Sequence, residues 1–426
     1  MSLLFVEGPA GCGKTTRIFQ ELAKAIEERP IVDHERVLAL TKMHGSRRRM
    51  QGRLLSIPGL RRRFECITID SLAWRIYRRW RSLVRTMGNQ IHTDNDYKGV
   101  CSSAGDILTN IIANKWIARS FPMVVVDEMQ DSKDGQLKII RALSESTICI
   151  AAADDYQDLE STGENVAVSW AHDKGNIITL AENYRTGVVG LIAASNAIRN
   201  GQPIPMNGKG FNILGALNSN VGASFVSKNI TWWMKTGDIA IITPVRLENS
   251  KFVRDLFMRV KSSPIGKEAF GPYVIPWEVS QEEQCEQFLC ELNLPGEALS
   301  EVSITALRIP EQRCISVALN IWLEQQRRIA GRNTITVGEL HRQIRVIHQR
   351  SRAYRRVRDK GVRAMTVHQA KNREFESVIV LWPYEVAGTL DHQRRLLYNA
   401  ITRARRQALV VVQNPDRCNK PPFVVA

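Results

Sequence analysis

Short apolar runs recur along the chain, and most of them are followed by turn residues and then by a helical pattern. Nine runs stand out: LLFVEG, RVLALT, CITID, MVVVDE, ICIAAADD, NIITL, DIAIITP, SVIVLW and ALVVVQ. β-Branched runs that alternate with helices indicate parallel sheets covered on both faces. The pattern therefore predicts an α/β fold, in which the runs before residue 154 form one sheet and those after residue 177 form a second.

Two stretches interrupt this alternation. Residues 76–116 have a helical pattern rich in Arg and Trp. Residues 265–359 are first Pro-rich and acidic, and then become basic and helical. Because each stretch has a structural pattern of its own, we interpret both as insertions into α/β domains instead of linkers.

Composition adds a polyanion to the expected partners. The 426 residues include 59 Lys and Arg against 43 Asp and Glu, a formal charge of +16. Such an excess is typical of proteins that meet nucleic acid, although a basic protein can also be soluble for reasons of its own. The cysteines are scattered without a C-x-x-C pair, so reduced thiols are expected instead of a zinc site or disulfides.

The opening residues MSLLFVEG favour a buried strand over a signal peptide, because they have no basic segment and only a short apolar run. The chain has no apolar run of the roughly 18 residues that a membrane helix needs. We therefore expect a cytoplasmic protein with no membrane partner.

The first chemical motif is GPAGCGKT at residues 8–15, which matches G-x-x-x-x-G-K-[ST] directly after an apolar strand. In this loop, backbone amides and the start of the following helix bind phosphate oxygens. Lys14 would reach the β- and γ-phosphates, and Thr15 would bind Mg²⁺. The expected nucleotide contacts are Gly8, Gly11, Gly13, Lys14, Thr15 and Thr16.

A second, acidic motif narrows the chemistry. MVVVDEMQDS places Asp127 and Glu128 at the end of an apolar strand. Asp127 would complete the Mg²⁺ site, and Glu128 would activate the attacking water. Two adjacent carboxylates favour ATP hydrolysis by water over a kinase, which must exclude water.

From this point the order of the motifs resembles one family. VVVDEMQDSKDGQ is similar to the acidic box of UvrD/Rep-type superfamily 1A DNA helicases. Other boxes of that family are similar to RVLALTKMHGSRRRM, ITIDSLAWRI, IAAADDYQD, LAENYRTGVVGLIAASN, MTVHQAKNREFESVIV and RRLLYNAITRARRQALVVV. The matches keep the family's order from residue 8 to residue 412, which indicates a compact member of it.

The resemblance implies two RecA-like P-loop domains with parallel sheets, each carrying a short, mainly helical insertion, with ATP and Mg²⁺ in the cleft between them. We assign the first motor domain to residues 1–75 and 117–173, with residues 76–116 as its insertion. The second motor domain is assigned to residues 174–264 and 360–426, with residues 265–359 as its insertion.

The same resemblance gives roles to side chains around the nucleotide. Gln157 would sense the γ-phosphate, and Tyr184 would stack on the adenine. Arg185 and Arg403 would reach the γ-phosphate from the second domain, and Glu374 would contact the ribose. The expected catalytic set is Lys14, Glu128, Gln157, Arg185 and Arg403.

The family also implies a nucleic-acid surface across the tops of both domains. Its matching positions, with the neighbouring arginines that could bind phosphates, are Thr41, Arg47, Arg48, Arg49, Thr68, Ser71, Thr366 and His368. In WRIYRRWRSLVR, Trp74, Tyr77 and Trp80 could stack on bases, or they could face the core of an amphipathic helix. The basic run from Arg342 to Arg358 likewise fits a DNA track or a solvated helix face.

The chain departs from the family pattern in four places. The adenine-reading glutamine of the family has no counterpart upstream of the phosphate loop, which leaves the base preference open. The third motif continues as DLESTGENV, with Glu160 and Glu164 where aromatic or basic contacts are usual. Asp70 replaces a histidine and Asn372 a glycine, and we expect Asp70 to weaken DNA contact. The insertions are short.

These features predict an ATP-dependent DNA translocase or helicase, with DNA-stimulated ATP hydrolysis and 3′→5′ movement on single-stranded or tailed DNA. The alternative is a nucleotide-gated DNA-sensing subunit of a nuclease-containing antiviral defence complex, with little unwinding of its own. The small size resembles the helicase-like subunit of Gabija-type anti-phage systems, in which a partner nuclease cuts. A nucleoside kinase is disfavoured by the adjacent Asp127 and Glu128.

Overall fold

The computed structural model describes residues 3–42, 44–88, 92, 96–160, 163–279, 281–311, 313–354 and 361–424. The chain divides into two compact units, which we call unit 1 (Met1–Ile275 with Thr366–Ala426) and unit 2 (Pro276–Met365). Within the described residues, no helix is both long enough and apolar enough to cross a bilayer.

All nine apolar runs of the sequence form strands, and the structure contains further strands that those runs did not predict. The strands are β1 (Leu3–Glu7), β2 (Val37–Thr41), β3 (Phe64–Thr68), β4 (Met123–Val126), β5 (Ile148–Ala153), β6 (Gly175–Thr179), β7 (Asn207–Gly208), β8 (Phe211–Ala216), β9 (Ile239–Thr243), β10 (Glu301–Ser303), β11 (Thr334–Thr336), β12 (Val362–Thr366), β13 (Phe375–Trp382) and β14 (Ala404–Gln413). The helices are α1 (Lys14–Glu28), α2 (His44–Leu55), α3 (Ile69–Arg79), α4 (Arg81–Thr86), α5 (Tyr97–Thr109), α6 (Ile111–Ser120), α7 (Asp134–Ser144), α8 (Val166–Lys174), α9 (Val189–Arg199), α10 (Ser219–Trp233), α11 (Lys251–Ser262), α12 (Gln281–Glu291), α13 (Arg313–Arg328), α14 (Val337–Tyr354), α15 (Val367–Ala370) and α16 (Leu390–Ile401).

The first sheet of unit 1 has the strand order β3-β2-β4-β5-β1-β6, and all of its pairings are parallel. In β2, all five residues of VLALT are buried. Leu38 and Leu40 pack into the core on one face of the sheet, and Val37 and Ala39 pack into the core on the other. Strand side chains alternate between faces, so a continuous apolar run is what a sheet covered on both sides requires.

One strand lies in a different sheet from the one the sequence predicted. The prediction that the NIITL run joins the second sheet is wrong: β6 pairs in parallel with β1, from Leu3 opposite Gly175 to Glu7 opposite Thr179. The short helix α8 connects β5 to β6 and packs against both β1 and β6. Such a crossover returns the chain to its own sheet.

The second sheet of unit 1 runs in the order β9-β13-β14-β8-β7, with β7 antiparallel to β8 and the other pairings parallel. Helices α9, α10 and α16 pack against this sheet. Helices alternating with two largely parallel sheets confirm the predicted α/β class. The finer division into two motor domains with two insertions stays a prediction.

Trp74, Tyr77 and Trp80, the aromatic residues of the WRIYRRWRSLVR stretch, lie against the core. Tyr77 is buried on α3, and Trp74 and Trp80 pack half-buried against the same core cluster. The Trp80 ring meets Trp116 of α6 edge to face, with ring centroids 6.2 Å apart. Burial removes Tyr77 from any base stack, so the amphipathic-helix interpretation accounts for this stretch.

Unit 2 is mainly helical. Helices α12, α13 and α14 pack around a small core that includes Phe288, Leu319, Leu340 and Ile344, beside the antiparallel pair β10 and β11. The predicted basic run begins in α14, and its side chains from residue 349 onward lie outside the described residues. Its role as a DNA track or a solvated face therefore stays a prediction.

Candidate functional site

The phosphate loop connects β1 to α1 and requires glycine at two close approaches. Gly8 and Gly11 have φ values of 156° and 84°. A Cβ on Gly8 would lie 2.4 Å from the Leu180 carbonyl oxygen, and a Cβ on Gly11 would lie 2.7 Å from Cβ of Arg185. Side chains at these positions would push the loop away from the segment that carries Arg185.

Lys14 begins α1, and its ammonium lies over the loop. Its Nζ donates to the carbonyl oxygens of Gly8 (2.8 Å) and Pro9 (3.0 Å) and lies 3.8 Å from Oδ2 of Asp154. Only 8% of Lys14 is exposed. These partners hold the charged amine at the mouth of the loop, where it could exchange the carbonyl contacts for phosphate oxygens.

Thr15 and Asp127 provide the oxygen atoms expected of a magnesium site. Thr15 Oγ1 lies 3.4 Å from Oδ2 of Asp127. Burial and the neighbouring Glu128 raise the pKa of the Asp127 carboxyl. A carboxylate in that situation gains from a divalent cation, and hydroxyl and carboxylate oxygens are the ligands Mg²⁺ prefers. In the described part of the chain, no group of three or more acidic, His or Cys side chains forms a metal cluster.

Glu128 is held in an uncommon backbone conformation. Its φ of 57° lies in the left-handed region, which is uncommon for non-glycine residues and is enriched at functional sites. Its Oε2 accepts a hydrogen bond of 2.6 Å from Nε2 of Gln130, which is fully buried. This arrangement fixes the predicted catalytic base, and sequence reasoning did not single out Gln130.

Asp154, a residue that the sequence analysis did not assign, is the centre of the site. Its Oδ1 accepts from Nη1 of Arg199 (2.6 Å), and its Oδ2 accepts from Nε2 of Gln157 (2.8 Å) and from the hydroxyl of Tyr398 (3.3 Å). Burial raises the pKa of the Asp154 carboxyl, but the charges of Lys14 and Arg199 outweigh it, so the pKa lies below its usual range. The carboxylate is therefore ionised, although its side chain is fully buried.

Arg403 reaches this centre from the second sheet. Its Nη2 donates to Oε1 of Gln157 (3.0 Å), and its Nε donates to the carbonyl oxygen of Asn399 (3.0 Å). Burial lowers the pKa of Arg403 to about 10, and the charge of Arg185 acts in the same direction. The guanidinium remains charged at neutral pH. The predicted γ-phosphate sensor and one predicted arginine thus lie in direct contact.

Arg185 and Glu374 form an ion pair beside that contact. Arg185 Nη2 lies 2.9 Å from Oε1 of Glu374, and its Nη1 donates to the carbonyl oxygen of Thr402 (2.8 Å). Oε2 of Glu374 also accepts from Arg405 (2.9 Å). Burial raises the pKa of Glu374, but Arg185 and Arg405 hold it below its usual range. The predicted ribose contact and the second predicted arginine therefore bind each other.

Three further hydrogen bonds connect the phosphate loop to other parts of unit 1. The backbone amides of Tyr184 (2.8 Å) and Arg185 (3.2 Å) donate to the Gly11 carbonyl oxygen. The hydroxyl of Tyr398 accepts from the backbone amide of Ala10 (2.8 Å). The Tyr184 side chain is 72% exposed, and its ring would lie 3.5 Å from a Cβ on Gly13. Its face is open beside the loop, and adenine stacking on it stays a prediction.

Comparison with family models agrees with this geometry. The model of the UvrD-like helicase C-terminal domain matches residues 361–411, and a model of the AAA domain matches residues 1–163. The two matches together support a UvrD-like helicase. They indicate an ATPase of the helicase type, a hydrolase that uses a nucleotide. No curated protein matches the sequence. The family inferred from the motifs is confirmed, and the narrower likeness to Gabija-type subunits stays a prediction.

Of the polar residues predicted to contact DNA, Thr41, Thr68 and Thr366 end strands, whereas Ser71 and His368 lie in helices. Thr41 and Thr68 are buried, and they pair with each other in register at the ends of β2 and β3. Thr68 Oγ1 accepts from the amide of Ser71 (3.2 Å) and caps α3. Thr366 caps α15 in the same way, and His368 in that helix is exposed. Their contact with DNA in this UvrD-like helicase stays a prediction.

The three arginines of α2 do not share one direction, because consecutive helix positions differ by about 100°. Arg49 donates to the carbonyl oxygen of Asn372, and the charge of Arg49 also acts on Asp127. Arg47 is half-buried, and the side chain of Arg48 lies outside the described residues. Arg49 therefore acts on the predicted magnesium ligand Asp127, in addition to any role in DNA binding.

The two single-residue departures from the family pattern have structural explanations. Asn372 has a φ of 62°, a left-handed conformation that asparagine tolerates better than other non-glycine residues. Asp70 accepts hydrogen bonds from Nε2 of Gln136 (2.7 Å) and Sγ of Cys101 (3.3 Å). Those contacts tie the Asp70 carboxylate to α5 and α7, and its expected effect on DNA contact stays a prediction.

Proposed function

We propose that this UvrD-like helicase is an ATP-dependent DNA translocase, which hydrolyses ATP in response to DNA and moves 3′→5′ along single strands. The contact between Arg403 and Gln157 is the observation that carries this proposal. Arg403 directly precedes β14 of the second sheet, and Gln157 lies four residues after β5 of the first sheet, so the contact joins segments adjacent to both sheets. Hydrolysis in such a site depends on how the two sheets meet.

In the proposed mechanism, the backbone amides of residues 8–15 bind the phosphates and Lys14 neutralises their charge. Thr15 and Asp127 would hold Mg²⁺, which when bound offsets negative charge on the phosphate oxygens. Glu128 accepts the proton of the attacking water, in the orientation fixed by Gln130. The position of the Lys14 ammonium over the loop and the 3.4 Å approach of Thr15 to Asp127 support this mechanism.

The arginines couple this chemistry to movement. Arg185 exchanges Glu374 for the γ-phosphate, and Arg403 keeps Gln157 directed at it. Lys371 adds a further contact between the segment after α15 and the acidic motif, because its Nζ lies 2.5 Å from Asp131. Binding and loss of the γ-phosphate therefore change contacts between the sheets, which is what a translocating motor requires.

The test is the ATPase rate with and without single-stranded DNA, measured beside displacement of a strand from 3′-tailed duplexes of increasing length. We expect DNA to stimulate hydrolysis, and we expect the isolated chain to unwind long duplexes poorly, since its insertions are short. Efficient displacement at every length would make it an ordinary helicase. No ATPase response to any DNA would refute the translocase.

A nucleotide-gated DNA-sensing subunit is the second candidate. It is favoured by the acidic character of the segment after Gln157, where Glu160 contacts Lys42 and Lys133. A sensor would bind DNA and hydrolyse ATP without displacing strands at any length, and a partner such as a nuclease would act on the signal. A blunt or 5′-tailed duplex that stimulates ATPase as well as a 3′-tailed one would support the sensor over the motor.

A further inference from the structure

Two lysines converge on one carboxylate at the carboxyl edge of the first sheet. Lys42 directly follows β2, and Lys133 lies shortly after β4, which pairs in parallel with β2. Lys42 Nζ lies 3.3 Å from Oε1 and 3.4 Å from Oε2 of Glu160. Lys133 Nζ lies 3.5 Å from the same Oε2. Ligands of open parallel sheets bind at this edge.

The backbone of Glu160 is held in place, while its carboxylate stays accessible. The amide of Glu160 donates to Oδ1 of Asp158 (2.9 Å), and Oδ2 of Asp158 accepts from Asn165 (2.7 Å). Asp158 and Asn165 are both buried. The Glu160 side chain is 57% exposed, and those of Lys42 and Lys133 are about one third exposed. The carboxylate is therefore presented to the two ammonium groups by a fixed stretch of backbone.

An ion pair this exposed is readily exchanged, because such pairs contribute only about 0–1 kcal/mol. A backbone phosphate offers what the carboxylate offers, one negative charge shared by two oxygens. We propose that Lys42 and Lys133 form a binding site for a phosphate of single-stranded nucleic acid. The choice of this ligand rests on the proposed function. Glu160 occupies this site as an internal substitute until nucleic acid displaces it.

A chain of hydrogen bonds leads from this lysine site to the catalytic base. Asn165 Nδ2 donates both to Asp158 and to the carbonyl oxygen of Gln130 (2.8 Å). Gln130 in turn donates to Glu128. Displacement of Glu160 changes the charge at one end of this chain, so the exchange provides a route from nucleic acid to hydrolysis. On this proposal, Glu160, which stands where the family usually has an aromatic or basic contact, controls the rate of hydrolysis.

The first experiment compares Glu160→Gln with Glu164→Gln in the full chain. Both changes remove one negative charge from the same loop, but Glu164 accepts from the Ser169 hydroxyl (2.5 Å) instead of contacting the two lysines. Fluorescence anisotropy with a labelled oligothymidylate at low salt measures affinity. We expect Glu160→Gln to tighten binding by about threefold to fivefold, the effect of freeing up to about 1 kcal/mol, and Glu164→Gln to change it little. Equal effects of the two variants would overturn the proposal.

The second experiment replaces Lys42 and Lys133 with glutamine, one at a time. Each change should weaken oligothymidylate binding and reduce the slope of log affinity against log salt by about 0.7, as for one lost contact to a single strand. Inorganic phosphate at matched ionic strength separates a general anion site from one specific for nucleic-acid backbone. If inorganic phosphate displaces the oligothymidylate no better than chloride does, the site is specific for nucleic-acid backbone, as proposed. If low concentrations of phosphate displace the oligothymidylate, the site is a general anion site and the proposal is wrong.

ATPase measurements on the same variants test the route to the base. Glu160→Gln should raise the rate without DNA and lower the stimulation by DNA, whereas Glu164→Gln should keep the stimulation of the unmodified chain. If the unmodified chain binds no oligothymidylate, the proposed function fails. If it binds but Glu160→Gln behaves like Glu164→Gln, only the lysine site fails.

Discussion

Asp154 and Arg199 form an ion pair of 2.6 Å that links the two sheets of unit 1. Asp154 follows β5 of the first sheet, and Arg199 ends α9, which packs against the second. The same carboxylate lies 3.8 Å from the Lys14 ammonium. Two cations therefore share one buried anion, and whichever is removed leaves the other more tightly bound to it.

The first prediction follows from that competition. Arg199→Gln should remove one of the two cations that face Asp154, which binds Lys14 more tightly to the carboxylate and makes the lysine less available to phosphates. We expect the KM for ATP and the Kd of a non-hydrolysable analogue to rise about tenfold, near 1.4 kcal/mol, with a smaller change in kcat. Steady-state ATPase and equilibrium binding measure the two quantities. Arg199→Lys keeps the charge and should restore most of the affinity.

Arg395 offers a matched control for this prediction. Its guanidinium lies over the same Tyr156 ring as that of Arg199, but it pairs with Asp155 instead of Asp154. Arg395→Gln should disturb the same contact region without releasing Asp154. A KM for ATP that rises equally in Arg395→Gln and Arg199→Gln would show that loosened packing, and not the shared carboxylate, causes the effect.

The second prediction concerns the catalytic base. In Glu128→Gln the side-chain carbonyl can still accept from Gln130, so the geometry is kept while the base is lost. We expect hydrolysis to fall by at least about a hundredfold with ATP still bound. Lys14→Ala should instead lose both hydrolysis and most ATP binding. Nucleotide binding and turnover, measured on both variants, separate the two roles. If Glu128→Gln hydrolyses ATP at the rate of the unmodified chain, Glu128 is not the catalytic base.

The third prediction revises the role of the α2 arginines. Since Arg49 donates to Asn372 and acts on Asp127, Arg49→Ala should lower the ATPase kcat. Affinity for single-stranded DNA should fall by less than about threefold, as for one exposed ionic contact. Arg53 is exposed near the end of the same helix, and Arg53→Ala should leave kcat unchanged. If Arg49→Ala lowers DNA affinity by a larger factor than it lowers kcat, Arg49 acts mainly in DNA binding and this prediction is wrong.

The sequence was informative where a motif is contiguous, and less so where the site depends on distant partners. The phosphate loop, Asp127 and Glu128 each follow an apolar strand, and the strand fixes where they lie. Asp154 also directly follows an apolar strand, β5, so the same argument could have predicted where its carboxylate lies. Its partner Arg199 lies 45 residues away, at a helix end that no pattern distinguishes from a solvated arginine.

Two other features could not be deduced, for geometric reasons. A run of β-branched residues does not state which sheet it joins, and β6 joined the first sheet through the short crossover of α8. The three arginines of α2 read as one basic cluster in sequence, but their directions follow the helix, and Arg49 turns to Asn372.

The last prediction concerns Tyr398, whose hydroxyl contacts both the phosphate loop and Asp154. It accepts from the Ala10 amide and donates to Asp154, and burial keeps the pKa of the phenol well above its usual value, so the group remains a neutral hydroxyl. Tyr398→Phe leaves the buried amide without its partner. We expect the free energy of unfolding to fall by about 1–3 kcal/mol, measured by denaturant unfolding.

Tyr156→Phe is the matched control, since its hydroxyl donates to the Ile198 carbonyl oxygen (3.0 Å) and makes no bond to the phosphate loop. Both variants should lose stability, but only Tyr398→Phe should also weaken ATP binding, because only its hydroxyl positions the loop. Binding of a non-hydrolysable analogue well below the unfolding transition separates the two effects. If both variants bind the analogue as tightly as the unmodified chain, the Tyr398 hydroxyl stabilises the fold without positioning the phosphate loop.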